Sequence, residues 1–181
     1  MRKVSGFICA VVLIVALAAC GASNAQTSAS QAGVSRTVAV AACTQVGTKH
    51  FAKTRFLLHA GLAVGAFRQF VYKPFKAGKF KSGAQGRIKA MIIAGAAALF
   101  TYHELKTAKK FAEADKTLCK LVAPIDKLTA SLPSLGSGLK SGKLNESSIN
   151  GAAQNVASFK GSATHLGAPI TERVPPSVGV P

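Results

Sequence analysis

Acidic side chains are scarce in this 181-residue chain: six Asp and Glu stand against 23 Lys and Arg, a formal charge of +17. So few carboxylates leave little material for acid/base catalysis. There is no Trp and there are only two Tyr, which argues against an aromatic-rich carbohydrate cleft. The phosphate-cradling pattern GxxxxGK[ST], the nucleophile elbow GxSxG and the zinc pattern HExxH are all missing. Gly61-Leu62-Ala63-Val64-Gly65 is no dinucleotide fingerprint, because no strand precedes it. No convincing strand alternation and no internal repeat occur. No catalytic residue and no cofactor are therefore assigned, and a non-catalytic role is expected. Apolar residues make up 49%, so the chain has the material for a buried core.

What is present begins at the N-terminus. Met1-Arg2-Lys3 is a basic flank, and Val4–Ala19 (VSGFICAVVLIVALAA) is almost unbroken apolar sequence. A positive flank, an apolar run and small residues at its end describe an export signal. The run closes in Leu17-Ala18-Ala19-Cys20-Gly21, which resembles the lipobox of bacterial lipoproteins over residues 1–21. The resemblance implies cleavage after Ala19, a diacylglyceryl thioether on Cys20, and a protein held on the outer face of the bacterial cytoplasmic membrane. A plain secreted protein, cut after Ser23-Asn24-Ala25, is the competing reading of the same segment. Two or more acyl chains anchor stably where one does not.

Residues 20–37 then read as the acylated cysteine and a small, polar, flexible tether, 38–167 as a helical domain, and 168–181 as a Pro-rich disordered tail. The expected fold is all-α: a long antiparallel helical hairpin with one or two short helices packed on it. The first arm is apolar from Phe56 to Phe67 apart from His59, and Lys73-Pro74 is expected to end it. Residues 73–89 (KPFKAGKFKSGAQGRIK) read as a loop. The second arm starts at Ala90–Phe100 (AMIIAGAAALF), turns amphipathic through Tyr102, Leu105, Ala108 and Phe111, and is expected to run to about Lys120. Gly61 and Gly65, and Ala90, Ala94 and Ala98, recur four apart, a spacing that lets helix backbones approach closely. Ile125, Leu128 and Leu132 line a short helix that Pro133 and the Gly/Ser-rich run after it are expected to break. Asn145 or Ser147 caps a last helix with Ile149, Ala152, Ala153, Val156 and Phe159 on its apolar side.

Four cysteines reduce to two once Cys9 leaves with the signal and Cys20 takes lipid. Cys43 precedes the first arm and Cys119 ends the second, so an antiparallel hairpin brings both to one end. Outside the cell such a pair forms a disulfide, worth about 4 kcal/mol in the chain-entropy account.

The charge is asymmetric. From Gly21 to His103 there is no Asp or Glu, and the cations are densest in the inter-helix loop: Lys73, Lys76, Lys79, Lys81, Arg87 and Lys89, interleaved with Tyr72, Phe75 and Phe80. These six cations are the candidate contact for anionic lipid or an anionic cell-wall polymer. Juxtamembrane cations contribute about 1 kcal/mol each, and exposed Phe inserts at an interface. A merely solvated cationic face has the same composition. Nucleic acid fits poorly with export, and protein partners are not specified. Two rival readings remain open. In one, the two apolar stretches form a transmembrane hairpin with a cytoplasmic basic loop, favoured by the positive-inside bias but opposed by apolar runs of only about eleven or twelve residues where about twenty are needed. In the other, His50, His59, His103 and Glu104 gather as a metal or enzymatic site, without the ligand spacing such sites show.

Overall fold

The computed structural model describes Cys43 and residues 45–178. The export signal, Cys20 and the tether lie outside the described residues. The fold is all-α, with no strand among the described residues.

Helix α1, Ala52–Ala66, runs without a break into a π-helical turn, Phe67–Tyr72, and a short α2, Lys73–Lys76. Lys73-Pro74 therefore does not end the first arm. A proline inside a helix lacks the N–H and crowds the carbonyl four residues back. The widened turn, in which the Lys73 amide reaches the Arg68 carbonyl five residues back, lies directly ahead of Pro74 and relieves that crowding. Residues 77–86 form the connection, with Gly78 and Gly86 at positive φ (71° and 70°) where the chain leaves α2 and enters α3.

Helix α3, Arg87–Ala112, is about 39 Å long at 1.5 Å per residue. It ends eight residues short of the expected Lys120, at a turn in which Asp115 Oδ1 accepts from the amides of Thr117 (2.8 Å) and Leu118 (3.0 Å). A 3₁₀ turn, Leu118–Leu121, leads into α4, Val122–Lys140. Pro124 sits in the first turn of α4, where its missing N–H costs little. Pro133 and the Gly/Ser run do not break α4. Ile125, Leu128, Leu132, Leu135 and Leu139 repeat at alternating steps of three and four and are all buried. At about 1.5–3 kcal/mol for each buried aliphatic side chain, that stripe outweighs the roughly 3 kcal/mol of an interior proline.

Helix α5, Glu146–His165, starts at Asn145, whose side chain accepts from the Ser148 amide at 3.0 Å. Its buried face is Ile149, Ala152, Val156, Phe159 and Ala163. The four long segments run alternately up and down, and side chains from all of them share one core. Between α1 and α3 the contact is made by small residues; Thr101, the buried polar side chain of the core, donates to Ala97 O at 2.8 Å, with Ala63 O of α1 at 3.3 Å.

Two glycine contacts hold the packing. Gly95 of α3 faces Gly136 of α4 so closely that a Cβ on Gly95 would lie 2.8 Å from the Gly136 carbonyl oxygen. The Gly/Ser run is thus a helix crossing rather than a linker. Gly61 and Gly65 of α1 admit not a helix but the C-terminal segment, whose Arg173 amide donates to Gly61 O at 3.0 Å. The tail expected to be disordered is packed over the described residues 168–178, with Ala168, Ile170, Pro175 and Val178 buried.

Cys43 and Cys119 are joined by a disulfide, Cα–Cα 5.3 Å. This pairing is the one expected from two antiparallel arms, even though Cys119 lies past the end of α3 rather than within it.

Candidate functional site

Three features gather chemistry-bearing side chains: the pole of the bundle around residues 73–92, the cleft between α1 and α5, and the disulfide pole.

At the first pole Lys73, Lys76, Lys79, Lys81 and Lys89 are exposed, as are Lys140 and Lys143 from the α4–α5 turn. Lys73 Nζ donates to Gln69 Oε1 at 2.8 Å. Glu146, at the start of α5, is the acidic residue sharing this pole. Two members of the expected basic–aromatic loop do other work. Arg87 is a brace: its Nε donates to Phe80 O at 2.9 Å and its Nη2 to Gly142 O at 3.1 Å, tying the connection to the α4–α5 turn. It is a packing residue and not a free cation of the contact surface. Phe80 is 1% exposed and belongs to the core, with Phe75 half-buried beside it at 6.5 Å between ring centroids. Phe80 anchors the loop and is not available to insert elsewhere. The apolar groups that do face outward are Ile88 and Ile92, one turn apart on α3 and 72% and 41% exposed. They flank a shallow recess of about 390 Å³ closed on its other side by Lys140 and Gly142. No local pattern singles out this pair, because the stretch from Ala90 to Phe100 is apolar on every face.

The cleft lies along the opposite flank. It measures about 580 Å³ and has Val64, Phe67, Arg68 and Tyr72 on one wall, Asn150, Gln154, Val156 and Lys160 on the other, and Glu172 of the tail at its rim. Glu172 accepts from Arg68 Nη1 at 2.7 Å and from Lys160 Nζ at 2.6 Å. Burial opposes ionisation of Glu172, but the two charged hydrogen bonds outweigh it and hold the carboxyl below its ordinary range. Arg68 is 104 residues from Glu172, and Glu172 sits in a segment that composition alone marks as unstructured, so no local pattern could have joined the three.

At the disulfide pole His59 Nδ1 lies 2.7 Å from Glu104 Oε2, and the imidazole stacks on Phe111 at 5.6 Å. Lys49 and Arg55 lie over the same ring at 5.9 and 5.7 Å. His59 and Glu104 do come together. His50 and His103 do not join them, and among the described residues no group of three or more His, Cys, Asp or Glu side chains could hold a metal ion. Glu113 pairs with Lys109 at 3.9 Å, and Lys109 reaches Asp126 of α4 at 2.6 Å.

Among the described residues α3 is the one helix long and apolar enough to cross a membrane. A core helix of a bundle meets the same description, and the small-residue faces of α3 are covered here by α1 and α4. The chain matches no family model, no curated protein and no solved structure. Its class is defined by the fold alone: an up-and-down helical bundle with a C-terminal strap.

Proposed function

We propose that this is a non-catalytic, lipid-anchored binding protein of the bacterial envelope. Acyl chains on Cys20 hold it to the outer face of the cytoplasmic membrane, and its basic pole docks on an anionic bilayer surface. The observation that carries the reading is the company of Ile88 and Ile92 among exposed lysines at one end of the bundle. Cations draw the pole to anionic head groups, and two outward isoleucines bury apolar area at the head-group boundary. A soluble wall polymer would use the lysines and leave the isoleucines idle.

Chain reach is compatible with both contacts on one bilayer. Cys43 is fixed at the other pole by its disulfide, about 39 Å away along α3. The stretch between Cys20 and Cys43 extends at most about 80 Å by covalent geometry, longer than the bundle.

The test is sedimentation with phosphatidylglycerol and phosphatidylcholine vesicles, using protein that begins at Gly21 and so lacks both the apolar leader and the acylated cysteine. Binding to the anionic vesicles is expected, weakening with salt. Replacing Lys73, Lys76, Lys79 and Lys81 by Gln lowers affinity by up to about fivefold per residue, and Ile88→Ser with Ile92→Ser lowers it further. Salt-dependent binding to wall polymer but not to vesicles would replace the bilayer by the polymer. Retention in carbonate-washed membranes of protein that begins at Gly21 would favour spanning helices instead.

A further inference from the structure

We propose that the cleft between α1 and α5 binds a single-chain anionic amphiphile, and that Glu172 occupies the head-group position until such a ligand displaces it. The site is on the flank of the bundle and does not depend on the reading of the basic pole. Its floor is apolar, with Val64 and Phe67 facing Val156 across the cleft. Its rim carries two cations from facing elements, Arg68 and Lys160, which converge on one carboxylate at 2.7 and 2.6 Å. A carboxylate held between two cations over an apolar floor suits an anionic, single-chain ligand: charge complementarity for its head, and an open cleft with Val64, Phe67 and Val156 at its base for its chain. The volume of about 580 Å³ falls within the range of small-molecule pockets.

Glu172 is the part of the tail that lines the cleft. Exchange therefore needs only the Glu172 side chain to swing outward. The Arg173–Gly61 hydrogen bond and the buried Ile170 still tether the strap when that carboxylate leaves, so it loosens without detaching. An incoming anion replaces the internal one on the same two cations, so the protein's own carboxylate sets the threshold for binding.

Calorimetric titration of the full chain tests this with dodecanoate, dodecyl phosphate, octanoate and dodecyltrimethylammonium, all below their micellar concentrations. The two dodecyl anions share the required chemistry, and whichever binds more tightly identifies the head group as carboxylate or phosphate. Dodecanoate is expected to bind more tightly than octanoate, by up to about fourfold per added methylene, and the dodecyl cation is expected not to compete. Glu172→Gln raises affinity for the anions about tenfold. Arg68→Met with Lys160→Met abolishes the preference for anion over cation. Ala157→Phe, an exposed change on the cleft wall, blocks the chain while leaving the ionic rim intact, and serves where the charge variants fold poorly. Equal binding of anionic and cationic chains, no dependence on chain length, or unchanged affinity in Glu172→Gln would overturn the proposal.

Discussion

The amide of Arg173 donates to the carbonyl of Gly61 at 3.0 Å, and this one contact turns a Pro-rich terminus into part of the bundle. A carbonyl four residues short of a helical partner's position is normally taken by its own helix, so a second donor reaches it only where no side chain shields the backbone. Gly61 and Gly65 provide that bare strip. The strap laid on it carries Ile170 into the core and delivers Glu172 to Arg68 and Lys160.

Gly65→Ala is the sharpest probe of the strap. A Cβ there would stand 2.0 Å from the Arg173 carbonyl oxygen, backbone that has no rotamer to yield. The expected result is a loss of about 1–3 kcal/mol, in the range of overpacked sites, with new protease cuts after residue 166. Unchanged melting and an intact terminus would show that the strap contributes little.

The α3–α4 crossing makes a parallel demand. Gly95→Ala would place a methyl 2.6 Å from the Lys140 side chain and 2.8 Å from the Gly136 carbonyl, and a similar loss of about 1–3 kcal/mol is expected. Gly151 of α5 has open space where its Cβ would go. Gly151→Ala should therefore stabilise by up to about 1 kcal/mol through helix propensity alone. Denaturant unfolding of the two variants side by side separates crowding from propensity. Equal and favourable effects would mean that the helices are free to part.

These contrasts also mark what could be read from the chain alone. The Ile125, Leu128 and Leu132 stripe, the Asn145 cap and the apolar side of α5 are local patterns, legible because periodicity and capping act within a few residues. The pairing of Cys43 with Cys119 followed from one topological step. The Gly/Ser run after Pro133 reads locally as a breaker because glycine and proline disfavour an isolated helix; Gly136 is helical because Gly95 lies opposite it, which no local window contains. By composition Arg87 and Phe80 belong with the loop's charge and aromatics. Only the fold shows that the one braces the α4–α5 turn and the other is core. The cleft was least accessible of all, since Arg68 and Glu172 are 104 residues apart.

Acid should loosen the strap first. The Glu172 carboxyl titrates below its ordinary range in the folded protein, so its contribution is fully present above the unfolded-state value, about 4.3. It is lost as pH falls through the lower, folded value. Protease susceptibility of the tail is expected to rise on acidification below about pH 4 before the helices melt. Glu172→Gln should show weaker protection at neutral pH and a flatter pH profile. A variant that keeps the parent's profile would assign the acid sensitivity to another carboxylate.

The disulfide sets the stability of the opposite pole. It links positions 76 apart in sequence, and in the chain-entropy account a loop of that length is worth about 4 kcal/mol. Cys43→Ser with Cys119→Ser, or reduction of the parent, should lower Tm by roughly 10–20 °C, taking about 4 °C per kcal/mol for a domain of this size. The fold should persist, because the buried stripes of α4 and α5 and the core they share with α1 and α3 do not depend on the bond. The local consequence is distinct from the global one. Residues 45–50 meet the rest of the protein through the Gly47 amide on the Ala114 carbonyl at 3.0 Å and through Lys49 over Phe111 at 5.9 Å. Without the cross-link, amide exchange should accelerate there ahead of α4. Uniform acceleration across all helices would place the bond's effect in the unfolded chain alone.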